Sequence, residues 1–319
     1  MELAQEVPED RRRVMMNLLG QSTIAQPMEW TGIGLHSGRP VRMRLLPAPP
    51  QSGIRFVRTD LPGRPEIACK VENVTHTQMA TTLGVGKASV STVEHLMCAL
   101  FAAGIDNLCI EVDAPEVPIS DGSSIEFFNA LREIGVERQL KPRRVHRLLR
   151  RVEVVSGESV AIAEPSDGFS VEATVEFPHP VIGKQSFSYV AGQTPFESFL
   201  SARTFGFLKE VEALKRMGLA QGGSLENAVV LDDRSVLNPG GLRFSDEFAR
   251  HKVLDAVGDL ALAGHPIQAR VSLNRSGHEL HRRLLCEILA NSELVEVGQP
   301  KAISVRAPLF KKARRVAVS

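Results

Sequence analysis

The chain has 319 residues, enough for two domains of ordinary size, and its 43% hydrophobic and 24% charged content is that of a globular protein. Its 38 basic and 37 acidic residues leave a net charge of +1, which gives no field to recruit nucleic acid, and no basic patch interleaved with aromatic residues stands ready to read bases. Cys69, Cys98, Cys109 and Cys286 lack C-x-x-C spacing and sit among apolar neighbours, so they read as reduced core residues of a cytosolic protein.

At the start of the chain "RRRVMMNLLGQST" has the arginines of a twin-arginine signal, but Asn17, Gly20 and Gln21 break the apolar run that should follow. Residues 1–21 are therefore expected to form a mobile extension. "TGIGLHSG" (31–38) reads as a glycine-punctuated turn, and "PVRMRLLP" and "GIRFVRTD" alternate like half-buried strands. "STVEHLMCALFAAG" predicts a helix opened by a Ser or Thr cap and closed by Gly104. "NLCIEVD" predicts a strand, and "SSIEFFNALREIG" a helix capped by Ser123 or Ser124 and followed by Gly135. The longest uncharged apolar run, "LMCALFAAGI", is about half of what a bilayer span requires; no transmembrane helix is expected.

The basic stretch 141–151, "KPRRVHRLLRR", marks the junction between two halves. Strands "VEVVSG", "SVAIAE" and "FSVEATVEF" follow, then helices around 208–217, 245–263 and 278–290. Both halves run strands first and helices after, which predicts an α+β fold. The expected domains are 22–141 and 142–308, with a basic tail at 309–319.

One helix carries a chemical signal. In "RHKVLDAVGDL" (250–260), His251, Asp255 and Asp259 are each four residues apart and lie nearly above one another at about 3.6 residues per turn, opposite Val253, Leu254, Val257 and Leu260. An ordinary solvated face would favour Lys, Glu and Gln. A His and an Asp at i, i+4 are also ready metal ligands needing a third from elsewhere. "TVEHL" offers it: Glu94 beside His95 pairs a residue to hold an ion with one to take a proton from water. His278, in "NRSGHEL", could face a cleft; a surface histidine at a helix start is the competing reading.

"TGIGLHSG", "STVEHL", "APEVPISDGSS", "SARTFGF", "GGSLENAVVLDD", "LRFSDEFARHKVLDAVGDLALAGH" and "SGHEL", in this order over residues 22–308, resemble the signatures of UDP-3-O-acyl-N-acetylglucosamine deacetylases, zinc enzymes of lipid A biosynthesis. The resemblance implies two two-layer α/β sandwich domains facing each other across a cleft that holds the active site. It implies His95, His251 and Asp255 as zinc ligands with water in the fourth position, and Glu94 as general base. Thr204 would stabilise the oxyanion, and His278 would act as general acid with Asp259 as the carboxylate partnering it. Lys252 would meet the diphosphate, Phe205 and Phe207 the sugar and acyl chain, and Glu210 the glucosamine ring. Leu208, Val211 and Ala228 would line an acyl passage with Met79 at its mouth. Arg147 is the candidate arginine for the phosphates. The implied substrate is a UDP-linked acylated amino sugar, handled by a cytoplasmic monomer; weak association of the basic tail with the inner-membrane surface is a further expectation.

Ala80 stands where some members of that family carry a cysteine, so regulation through that thiol should be lacking here. A His-His-Asp set also accepts Fe(II). The rival readings are a zinc hydrolase acting on a different amide, and a non-catalytic protein using the zinc structurally or sensing UDP-sugars; the second conflicts with the three-ligand count, because structural zinc sites close with four protein ligands.

Overall fold

The computed structural model describes residues 20–297; the expected extension before residue 20 and the tail after 308 lie outside them. The architecture is α+β. In the first half, five strands lie in the order Met28–Ile33, Pro40–Pro47, Leu108–Val112, Ile54–Arg58, Glu66–Ala68, mixed parallel and antiparallel. Along Pro40–Pro47 the inward residues Val41, Met43 and Leu45 are buried, while Arg42 and Arg44 face out and pair with Glu29 and Glu111, the period of two that strand geometry imposes. The glycine-punctuated turn is shorter than expected, because Thr31, Gly32 and Ile33 belong to the first strand. Gly20 and Gln21, assigned by sequence to the extension, open the strand Gly20–Ile24, and the Gln21 side chain is buried.

Helix α1 (Glu94–Ala103) ends on Gly104 in the left-handed region (φ 71°), as its sequence predicts. Its N-cap is Val93, not the expected Ser or Thr. Thr92 is instead held at φ 57°, a rare conformation for a β-branched residue, and its hydroxyl donates to Glu116 (3.1 Å). Helix α2 (Ile125–Ile134) begins after Ser124 and ends at Gly135. Trp30 packs its ring on Phe127 of α2, centroids 4.8 Å apart.

The second half is built on a seven-stranded sheet around Ile267–Asn274, which pairs antiparallel with Ser159–Pro165 and parallel with Phe169–Phe177. The 141–151 stretch is largely strand. Val136–Pro142 pairs with Gly20–Ile24, while Arg144–Leu148 pairs with Ile267–Asn274 and Ser292–Glu296. Helices α3 (Leu208–Arg216), α4 (Glu247–Leu260) and α5 (His278–Ala290) complete the half.

The two halves meet along α1 and α4, and a contiguous apolar core runs through both. Gly258 is the closest point: a Cβ there would stand 2.0 Å from the Glu94 carbonyl oxygen, so only glycine lets the helices approach this far. Cys69 and Cys98 are buried and their thiol pKa values are pushed up by burial, as expected of core cysteines. Cys109 is half-buried and Cys286 is exposed on α5, so these two do not follow that expectation.

Candidate metal centre and active site

The polar stripe of α4 is not a solvated face. His251, Asp255 and Asp259 are 2%, 2% and 3% exposed, a burial that charged groups tolerate only when paired or bound to a cation. The approach allowed by Gly258 brings His95, in the first turn of α1, onto this stripe. Asp255 Oδ1 lies 3.2 Å from His251 Nε2 and 3.6 Å from His95 Nε2, and one ligand atom from each of the three falls within 4.8 Å of the others.

The hydrogen bonds around this cluster argue for a cation. His251 Nδ1 donates to the Ala202 carbonyl (3.0 Å), which assigns the proton to Nδ1 and leaves Nε2 a bare lone pair aimed at a carboxylate oxygen. Burial holds the His251 imidazole down to about 3, outweighing the opposing field of Asp255, so the ring is neutral. Although burial favours the protonated acid, His251 and Lys252 hold the Asp255 carboxyl well below its usual range. Asp255 Oδ1 and His95 Nδ1 are both buried without a hydrogen-bond partner. The bare His251 Nε2 and the Asp255 Oδ1 that it faces at 3.2 Å repel unless a positive ion lies between them, and two His and one Asp are donors that zinc accepts. Lys252 Nζ lies 2.7 Å from Asp255 Oδ2 and 5.4 Å from the centre of the Phe205 ring.

Next to it lies a second group, Asp259, His278 and His281. It differs in being satisfied. Asp259 Oδ2 accepts from Nδ1 of both His278 and His281 at 2.8 Å, Asp259 Oδ1 accepts from the Thr81 hydroxyl at 2.6 Å, and His281 Nε2 meets Ser276 Oγ at 2.8 Å. Its arrangement is that of a carboxylate partnering imidazoles, not of a vacant ligand set. Burial opposes charge on His278, but the fields of Asp259 and then Glu94 win, and the imidazole is pushed up to about 9. Its Nε2 faces Glu94 Oε1 at 3.9 Å. Glu94 is buried, accepts from the Thr81 amide through Oε2 (3.1 Å), and is raised by burial against the fields of His278 and His95. A buried carboxylate and a raised imidazole thus stand beside the three-ligand cluster, the pairing expected of acid and base in one site.

Thr204 is half-buried and stands just before the strand Phe205–Phe207, which pairs with Val229–Leu231. Its amide donates to the Gly122 carbonyl (2.8 Å). Gly122, at φ 83°, would clash as any other residue, its Cβ 2.0 Å from the Asn227 carbonyl oxygen. Ser124 donates from Oγ to the His95 carbonyl (2.8 Å) in place of capping α2. The "DGSS" block therefore ties α1 and the Thr204 segment together. Phe205 lies 4.9 Å from Phe248 and 6.3 Å from the His251 ring, and Phe207 lies 5.8 Å from Phe177. Val211 and Ala228 are half-buried, Leu208, Glu210 and Met79 exposed, and α3 buries none of its residues. Arg147 sits in the second sheet, ion-paired with Glu293 at 3.1 Å. Among the described residues no contact links it to the cluster.

Sequence reasoning missed Thr81, which bridges Glu94 and Asp259, and His281, the second imidazole on Asp259. His281 follows His278 by three on α5, a spacing that was there to be seen; nothing local marks Thr81. It also missed His36, whose Nε2 is buried without a partner and whose pKa is lowered by burial, with the fields of His95 and His278 adding to it. Glu116 organises the His36 loop, accepting from the amides of His36 and Ser37 (both 2.8 Å).

Residues 21–290 match the UDP-3-O-acyl N-acetylglycosamine deacetylase family. Proteins named UDP-3-O-acyl-N-acetylglucosamine deacetylase are similar throughout. That of Myxococcus xanthus (strain DK1622) is 47% identical over 278 residues, 87% of this chain and 88% of its own. That of Anaeromyxobacter dehalogenans (strain 2CP-C) is 47% identical over 292 residues, 90% and 94%, and that of Geobacter sp. (strain M21) 46% over 273 residues, 85% and 90%. On the family match and these identities, the chain belongs to the UDP-3-O-acyl N-acetylglycosamine deacetylase family.

Proposed function

We propose that this chain hydrolyses the acetamide of UDP-3-O-(3-hydroxyacyl)-N-acetylglucosamine, releasing acetate and the free 2-amine, as the committed step of lipid A biosynthesis in the cytoplasm. The observation that carries the reading is the buried His95–His251–Asp255 cluster, in which Asp255 Oδ1 has no hydrogen-bond partner, beside the Glu94–His278 pair. A zinc ion bound to these three residues would supply Lewis-acid chemistry, acidifying water and polarising the amide carbonyl.

The chain's own groups do the rest. Glu94, with one oxygen fixed by the Thr81 amide, takes the proton from the attacking water through the other. The Thr204 hydroxyl donates to the oxyanion of the tetrahedral adduct. His278, held as imidazolium by Asp259, protonates the nitrogen as the C–N bond breaks, so the amine leaves neutral. Asp259 is a positioning residue, itself fixed by Thr81 and His281.

For substrate, the Lys252 ammonium is assigned to the diphosphate and Glu210 to the glucosamine ring. Phe205 and Phe207 pack on the sugar and the start of the acyl chain. Leu208, Val211 and Ala228, with Met79 at the mouth, line the acyl passage. What supports the passage is that α3 leaves its apolar side chains out of the core. Fe(II) fits the same donors, and metal analysis of protein taken directly from cells distinguishes the two.

The test is acetate release from a UDP-3-O-acyl-N-acetylglucosamine by wild type, Glu94→Ala and His278→Ala, with bound metal quantified in each. Wild-type activity with metal-replete, nearly inactive variants is the expected result. A wild type that binds metal but releases no acetate would redirect the reading to a different amide.

A further inference from the structure

His281 is a buried imidazole, 1% exposed, to which the mechanism above gives no chemical step. His278 opens α5 and His281 follows three residues later, so both rings project to one face of the helix and reach the same carboxylate. They stand edge to face with centroids 6.1 Å apart, and each places its Nδ1 2.8 Å from Asp259 Oδ2. An ionised carboxylate only accepts, so both Nδ1 atoms carry the hydrogen. Ser276 Oγ, 2.8 Å from the far nitrogen of His281, holds that ring in this orientation. The other oxygen, Asp259 Oδ1, is taken by the Thr81 hydroxyl at 2.6 Å.

One oxygen shared by two donors is a weaker acceptor for each than the same oxygen serving one. Burial opposes ionisation of Asp259, but the field and hydrogen bond of His278, and then those of His281, hold its carboxyl down to about 2. The charge that stabilises the His278 imidazolium is therefore already partly taken up by His281. With His281 gone, the whole of Oδ2 would face His278, stabilise the imidazolium further and make it a poorer proton donor to the departing amine. The other charged groups facing His278 are Glu94 on α1, whose Oε1 lies 3.9 Å from Nε2, Asp255 on α4, and His36 from the loop after Met28–Ile33. On α5 itself, Glu279 is engaged by Arg282 (2.8 Å) and by the Thr77 hydroxyl (3.1 Å).

We propose that His281 is a positioning residue for the general acid: it keeps a second hydrogen bond on Asp259 Oδ2, which fixes that carboxylate and limits how strongly it stabilises the His278 imidazolium. The inference rests on the role given to His278 above and adds to it a residue that acts only through Asp259.

The readout is the titration of His278 itself, followed by NMR of the zinc-loaded full chain with isotope-labelled histidines, the resonance being assigned by its loss in His278→Gln. In His281→Phe, which keeps a ring but donates nothing, that resonance should titrate at a pH higher by roughly 0.5–1, the equivalent of one net hydrogen bond. In His281→Asn, whose amide nitrogen can stand where Nδ1 stood, it should return to the wild-type value. Should His281→Phe not fold, His281→Leu takes its place. Acetate release measured alongside should show a lower kcat in His281→Phe, with KM and metal content unchanged and the alkaline limb moved up with the titration. A role in folding alone would lower the thermal midpoint and leave the titration in place. An unmoved or lowered titration in His281→Phe, or His281→Asn behaving as His281→Phe does, overturns the proposal. A wild type that releases no acetate overturns the deacetylase reading instead, and the titration, which needs no substrate, still decides this one.

Discussion

On the proposed mechanism, His278 and Glu94 decide the pH behaviour. The imidazole is raised to about 9 by the fields of Asp259 and Glu94 against burial, so the acid form is present below that value and is lost as pH rises through it. Glu94 is raised by burial, and the base form is lost as pH falls. The rate should therefore pass through a maximum, with its alkaline limb set by His278. Asp259→Asn removes a negative charge 2.8 Å from the ring and should shift that limb to lower pH; a limb that stays in place would show that another group titrates there. Glu94→Gln keeps the shape of the carboxylate without its basicity, so kcat should fall by about 10²–10⁴ while metal content measured by atomic absorption stays at the wild-type level.

Among the elements, the crossing of α1 and α4 sets the site. A Cβ at Gly258 cannot coexist with the Glu94 carbonyl at 2.0 Å, so Gly258→Ala must push the helices apart. It should cost about 1–3 kcal/mol by urea denaturation and lose more activity than this destabilisation accounts for, because Glu94 and His95 ride on the displaced turn. Gly240→Ala, where a Cβ meets nothing within 4 Å, is the control and should shift stability by no more than about 0.5 kcal/mol; equal effects at both positions would refute the role given to the crossing. The sequence shows the elements well where one local pattern suffices: the alternation of Pro40–Pro47, the Gly104 and Gly135 stops, the His251–Asp255–Asp259 stripe. The motifs also show the candidate donors, since His95, His251 and Asp255 each stand on a helix with legible periodicity. Hidden are the partners that meet only in space. Thr81 reaches Asp259 across 178 positions of sequence, Thr92 gives up capping α1 for a bond to Glu116, and Ser124 leaves its own helix for the His95 carbonyl.

At the scale of the whole molecule, the cluster draws His95 from one half and His251 and Asp255 from the other, so a bound ion would act as a clasp between them. Dialysis against a chelator should abolish activity and lower the thermal midpoint, both restored by added zinc, as linkage requires of a ligand held only by the folded chain; a midpoint that ignores the metal would place the ions elsewhere. No helix of the described residues is long and apolar enough to cross a membrane. The two halves also carry separate optical labels. The sequence holds one tryptophan and one tyrosine, and these are Trp30, seated on Phe127 in the first half, and Tyr189, stacked on Phe196 in the second. Indole emission and phenol absorbance therefore report on different halves of the unaltered protein. Whether the two signals change together during unfolding will tell, without any engineered dye, whether the halves come apart as one cooperative unit or in sequence.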